Sequence, residues 1–159
     1  MSQQVTSFLT IGTTGVGKSS FLNLLADNQL FPVSDDAQSC TKDVTAHEIQ
    51  LEDLKLYLID CPGLDDSDGD DQKNMDKLHG FLKQHPHGLN IVALFISASD
   101  HRLSTNLSKY IKFIYKFFDH AYFWYQFCII VTHCPNDEDE LNDLKTKMVK
   151  GTDSLHASI

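Results

Sequence analysis

The sequence predicts a three-layer α/β domain, with helices on both faces of a mostly parallel sheet that carries one antiparallel edge strand. Two observations carry the prediction. Strand-length, mostly apolar runs ("VTSFLTI", "LKLYLI", "NIVALFISA", "FCIIV") alternate with helical patterns, and the stretch "IVALFI" of the third is continuously apolar, as a strand buried on both faces is. One further strand precedes "LKLYLI" so closely that "VTAHEIQLEDLKLYLID" reads as a hairpin turning near Glu52–Asp53, which makes that pair antiparallel. The chain's 159 residues suit a single domain over 1–159. A chain of that size buries roughly 70% of its unfolded surface.

Each element follows from local pattern. Val5 to Ile11 is a buried strand, and a glycine-rich loop follows it. "SSFLNLLADN" places Phe21, Leu22, Leu24 and Leu25 on one helical stripe. Residues 27–43 are polar, contain Pro32 and read as a long loop. The hairpin comes next, then a second long loop, "CPGLDDSDGDDQKN", and a helix from about Met75 to Gln84. After "NIVALFISA" a helix is expected from Ser104 to about Asp119, with Leu107, Tyr110, Ile111, Ile114 and Phe118 on one face. "AYFWYQF" leads into the strand "FCIIVTH". The last helix, "NDEDELNDLKTKMVKG", is acidic in its first turn, lysine-bearing later, and stopped by Gly151.

The formal net charge of -9 argues against a nucleic-acid backbone or an anionic membrane as the main partner. It leaves room for a nucleotide, which needs only one local cationic pocket. The basic residues are 12 lysines and a single arginine, Arg102, which is few for an enzyme that clamps phosphates with guanidinium groups. Cys40, Cys61, Cys128 and Cys134 form no C-x-x-C pair and suit reduced thiols. The start "MSQQVTSFLT" lacks a basic region followed by a long apolar stretch, so no signal peptide is expected, and no apolar run is long enough to span a bilayer. A cytoplasmic location is expected, with the cytosolic face of a membrane reached only through a C-terminal extension.

"GTTGVGKSS" carries the first chemistry. Gly12, Thr13, Thr14, Gly15, Val16, Gly17, Lys18 and Ser19 fit G-x-x-x-x-G-K-[ST] between a strand and a helix, the context of a phosphate-binding P-loop. Glycines let successive N–H groups turn inward on an anion, and the following helix adds its positive end. Lys18 would reach the β- and γ-phosphates, Ser19 would supply a hydroxyl to Mg²⁺, and Ser20 would touch the phosphate nearest the sugar. "DCPG" follows the strand "LKLYLI". There Asp60 can hold Mg²⁺ through water, and the Gly63 amide can approach a γ-phosphate. A P-loop with D-x-x-G at this spacing points to a switch-type GTPase. In "SCTKDVT" a threonine hydroxyl would complete the Mg²⁺ shell when a γ-phosphate is present, and both Thr41 and Thr45 are placed to do it.

"GTTGVGKSS", "SCTK", "DCPGLDD", the pattern around "HRLST" and "VTH" together resemble the GIMAP and plant avirulence-induced GTPases. Their wider relatives are the septins and the chloroplast-import receptor GTPases. The similarity covers residues 5 to about 150. It implies a Ras-like G domain that binds GTP and GDP and pairs with itself across the nucleotide face. Such a fold continues with one more strand and helix, so the chain is expected to be C-terminally incomplete. Guanine-reading GTPases commonly end the next-to-last strand with N-K-x-D, where this chain has "THCPND". Thr132 and His133 take the first two places, Pro135 falls where the Asp belongs, and Asp137 lies two residues later. The resemblance implies that His133 stacks on the base, although a half-buried strand-end histidine is equally compatible. It also implies that Arg102 reaches the partner's phosphates in trans, against a plain solvated arginine. The residue after Gly63 is Leu64, which cannot orient a water, so slow hydrolysis is expected.

The expected function is a slow GTPase coupled to homodimerisation, with Lys18, Thr41, Gly63 and Arg102 as its catalytic groups. A nucleotide-gated scaffold with negligible turnover is the alternative, and a P-loop ATPase or kinase a weaker one. "DDSDGDDQKNMDK" fails as a calcium loop, since Asp71 and Lys77 stand where Gly and Glu belong. His79, His85 and His87 lack a matching second ligand pair for a metal. The aromatics of "FIYKFFDHAYFWYQF" read as core, with any exposed part marking a protein contact.

Overall fold

A computed structural model describes residues 5–33, 41–63, 71–84, 88–99, 105–116 and 122–146. The elements are β1 (Val5–Gly12), α1 (Lys18–Ala26), β2 (Thr45–Leu51), β3 (Leu54–Asp60), α2 (Asp71–Gln84), β4 (Ile91–Ser97), α3 (Thr105–Tyr115), α4 (Phe123–Gln126) and β5 (Phe127–Thr132). Residues 138–146 are also helical.

The five strands form one sheet in the order β2-β3-β1-β4-β5. β1 runs parallel to β3 and β4, and β4 parallel to β5. Only the edge strand β2 is antiparallel, with Thr45 opposite Asp60 and Leu51 opposite Leu54. This is the expected sheet.

Alternation along each strand builds the two faces. Leu9 and Ile11 of β1, Ile59 of β3, and Val92 and Leu94 of β4 join Leu78 of α2 and Leu107, Tyr110, Ile111 and Ile114 of α3 in one core. The intervening residues go the other way. Leu56 and Leu58 pack with Leu22 of α1 and Phe31. Ala93 and Phe95 pack with Val16 and against Phe21. Because β1, β3, β4 and β5 are parallel, their carboxyl ends share one edge, where ligands of such sheets bind. That edge carries the Gly12–Gly17 loop, Cys61 to Gly63, and Thr132 with His133.

Three details depart from expectation. Leu24 is 78% exposed, because it lies about 200° around the helix from the anchoring Leu22. α2 begins four residues before Met75, helped by a 3.0 Å bond between the Gln72 and Asp76 side chains one turn apart. The segment before β5 closes a turn, Tyr125 N to Tyr122 O at 3.0 Å, and forms α4. There Phe123 is fully buried beside Tyr115, Trp124 and Phe127. Tyr122 and Tyr125 remain exposed. Phe118 and Gly151 lie outside the described residues.

Candidate functional site

The loop after β1 turns on glycines. Gly17 caps α1 with φ +90°, a left-handed conformation that costs glycine little. The first helical bond runs from Phe21 N to Gly17 O at 3.0 Å. The amides of Lys18, Ser19 and Ser20 therefore precede the helical ladder at its positive end. Thr13, Thr14, Gly15 and Val16 complete the loop, and Ser20 is exposed at the helix start.

Lys18 is 6% exposed. Its ammonium donates to the Thr13 carbonyl at 2.8 Å and the Gly12 carbonyl at 3.3 Å, which holds a cation across the loop. On the far side, Thr132 at the end of β5 donates to the Val16 carbonyl at 2.8 Å. Thr132 thus braces the loop from beneath.

Three oxygens meet beside the loop. Ser19 Oγ donates to Asp60 Oδ2 at 2.6 Å, Thr41 Oγ1 donates to the same oxygen at 3.2 Å, and the two hydroxyls lie 3.3 Å apart. Asp60 is fully buried and Thr41 nearly so. Thr45, the rival, stands opposite Asp60 in the sheet, but its buried hydroxyl makes no hydrogen bond among the described residues. The structure therefore brings Thr41, and not Thr45, to the corner. The donor set is hard oxygen, and neighbouring ligands of an octahedral Mg²⁺ at 2.0–2.1 Å stand about 3 Å apart. The 3.3 Å separation of the Ser19 and Thr41 hydroxyls fits two neighbouring ligands of that ion, and Asp60, bonded to both, lies where it can hold one of the ion's waters.

Sequence reasoning missed Thr10. Its buried hydroxyl sits 3.2 Å from Asp60 Oδ1 and 3.2 Å from the Ile59 carbonyl, orienting the carboxylate from behind. The available signal was a hydroxyl set between the apolar Leu9 and Ile11 near the loop end of β1. Cys61, next to Asp60, is fully buried. Burial, and then the neighbouring Asp60 charge, push its thiol far above its usual range, so it stays protonated.

Gly63 lies against the loop. A Cβ there would stand 2.1 Å from Thr14 Oγ1 and 2.6 Å from Thr14 N, so only glycine fits this approach. The adjoining Thr14 hydroxyl is buried and has no hydrogen-bond partner among the described residues.

The end expected to read the base is sparser. His133 is exposed at the carboxyl end of β5 with φ +51°, an uncommon conformation outside glycine. Asp137 is engaged locally: its Oδ1 accepts from the amides of Glu140 at 3.0 Å and Asp139 at 3.1 Å, capping the helix at 138–146. Leu64 and Arg102 lie outside the described residues, as do His85 and His87. His79 packs edge-on to Phe113 at 5.8 Å. Among the described residues no three His, Cys, Asp or Glu side chains gather as a metal site.

The sequence profile of the 50S ribosome-binding GTPases matches residues 7–123. GTP-binding protein A of Dictyostelium discoideum is 39% identical over 82 residues, which are 50% of this chain and 18% of that protein. The structure of Toc33 from Arabidopsis thaliana in complex with GDP and Mg²⁺ matches with a TM-score of 0.72 at 20% identity, over 98% of this chain and 63% of that one. For the chloroplast translocon components that include Toc33, dimerisation is important for GTPase activity. Era of Aquifex aeolicus, bound to GDP and AlF4-, matches with a TM-score of 0.67 at 16% identity, over 94% and 48% of the two chains. These structural likenesses, at such identities, concern the fold, and the chain spans less than two thirds of each relative's length. The profile spans well over half of the chain, across the loop, the Ser19–Thr41–Asp60 corner and Gly63. The chain belongs to the 50S ribosome-binding GTPase family of P-loop GTPases.

Proposed function

We propose that this chain is a guanine-nucleotide switch that binds GTP and GDP with Mg²⁺ and hydrolyses GTP slowly to GDP and phosphate. The observation that carries this is the Ser19–Thr41–Asp60 triangle, with edges of 2.6, 3.2 and 3.3 Å, beside the buried Lys18 ammonium. Mg²⁺ there would neutralise charge developing on the β- and γ-phosphates. Ser19 and Thr41 would hold it by their hydroxyls and Asp60 through water, with Thr10 fixing the carboxylate. Lys18 would place its ammonium on the same phosphates. The Thr14 hydroxyl, which has no hydrogen-bond partner among the described residues, and the Gly63 amide would flank the terminal phosphate.

Turnover is slow in this reading because Leu64 stands where a water-orienting side chain is needed. Arg102 would supply the missing charge across a homodimer, as the resemblance to the avirulence-induced GTPases implies and as the dimer-dependent activity of Toc33 supports. The guanine preference rests on the GTP-binding relatives, with His133 stacking on the base. The negative charge weighs against a nucleic-acid partner. A cytoplasmic location belongs to the same proposal, with membrane attachment only through a segment beyond this chain. No helix among the described residues is long and apolar enough to cross a membrane.

Turnover measured at several protein concentrations tests the coupling. Specific activity is expected to rise with concentration, and Arg102→Ala to remove the rise. Concentration-independent turnover that survives Arg102→Ala would discard the dimer mechanism. GTP binding with no turnover at any concentration would favour the nucleotide-gated scaffold.

A further inference from the structure

α2 touches both loops that flank the terminal-phosphate position. The helix is seated on the sheet by Leu78, fully buried, with Met75 and Leu82 packed beside it. Asn74 and Lys77 stand one turn apart, on the same side of the helix. The buried Asn74 donates through Nδ2 to the Gly63 carbonyl at 3.1 Å. Lys77 forms a 2.7 Å ion pair with Asp43 and also donates to the Lys42 carbonyl. Lys42 and Asp43 directly follow Thr41, whose hydroxyl is at the metal corner.

From this we infer that α2 is a clasp joining the two nucleotide-sensing loops, and that Lys77 is a positioning residue for Thr41. The inference rests on the GTPase reading above and adds the residues through which one loop feels the other. Asn74 holds the Gly63 side. Lys77 holds the Thr41 side. A γ-phosphate that draws in Gly63 moves the seated helix, and Lys77 carries the chain at 42–43 with it. GDP makes no demand on either loop, so the clasp is invisible to GDP.

Lys77 is 40% exposed and Asp43 74%, so the ion pair alone contributes little to folding. Removing it should leave the fold intact and expose the coupling. The test compares wild type, Lys77→Ala and Lys77→Arg by titration with a fluorescent GDP and a fluorescent non-hydrolysable GTP analogue in Mg²⁺. Amide hydrogen exchange of the peptides covering 41–51 and 71–84 is followed in parallel. Lys77→Ala is expected to weaken the GTP analogue about three- to tenfold, the effect of losing one charge-assisted contact at a partly exposed site. GDP affinity and melting temperature should hold, and Lys77→Arg should recover most of the loss. In wild type the GTP analogue should protect both peptides together. In Lys77→Ala it should protect 71–84 while 41–51 keeps exchanging. Equal losses for GDP and the GTP analogue, no loss for either, or joint protection that persists in Lys77→Ala would overturn the clasp. A wild-type chain that binds neither nucleotide would instead overturn the GTPase reading and the clasp together.

Discussion

Replacing Asp60 by asparagine separates the metal corner from the rest of the site. The carboxylate is fully buried and accepts three hydroxyls, from Ser19 at 2.6 Å, Thr41 at 3.2 Å and Thr10 at 3.2 Å. Asparagine keeps the shape and one acceptor. Its amide oxygen can stay on Ser19 and Thr41. Its NH₂ then faces Thr10, whose hydrogen can turn to the Ile59 carbonyl 3.2 Å away. The fold is therefore expected to survive with a melting temperature within a few degrees of wild type. A metal held at this corner would lose an anionic partner. A hydrogen bond to a charged group contributes about 1.5–3 kcal/mol, which converts to about 10- to 150-fold in affinity. Binding of a fluorescent GTP analogue should fall by that factor in millimolar Mg²⁺ and stay unchanged in EDTA. An equal loss with and without Mg²⁺ would mean that the carboxylate only supports the loop. Unchanged binding in Mg²⁺ would mean that no metal sits at this corner.

Two further substitutions give different signatures. Gly63→Ala forces a methyl into Thr14 backbone atoms 2.5–2.6 Å away. Overpacking of that kind costs about 1–3 kcal/mol, so calorimetry should show a melting point lower by about 2–12 °C for a domain of this size. A melting point unchanged within one degree would show that the loop yields freely. Thr132→Val keeps the shape but leaves the Val16 carbonyl without its 2.8 Å donor. The loosened loop should bind GDP and the GTP analogue more weakly by similar factors, with or without Mg²⁺, corresponding to about 1–3 kcal/mol. A loss confined to Mg²⁺ conditions would contradict the bracing role.

The phosphate loop, Asp60 and Gly63 were legible because their signals are short in sequence: glycines, a lysine and a hydroxyl at fixed spacing, and a carboxylate just past a strand. The sheet was legible because mostly apolar runs alternating with helical patterns, and one close hairpin, leave little choice of topology. Long-range contacts were not. Thr10 meets Asp60 across fifty residues, and only the parallel register of β1 with β3 brings them together. The choice between Thr41 and Thr45 turned on the chain path before β2, because both are threonines close to that strand. The bracing by Thr132 depends on β5 ending beneath the loop. The engagement of Asp137 in a helix cap shows how an acid near the expected base-reading place can be committed to local structure. α4 escaped notice because its single turn is set by the burial of Phe123 more than by any periodicity.

Calorimetric titration of the purified chain with GDP, a non-hydrolysable GTP analogue and ATP, in Mg²⁺ and in EDTA, asks most directly whether this fold holds a guanine nucleotide at the Lys18 loop. The predicted result is binding of both guanine nucleotides, tighter for the GTP analogue when Mg²⁺ is present, no comparable binding of ATP, and loss of all binding in Lys18→Ala. Equal affinity for ATP, or guanine-nucleotide binding that persists in Lys18→Ala, would contradict it.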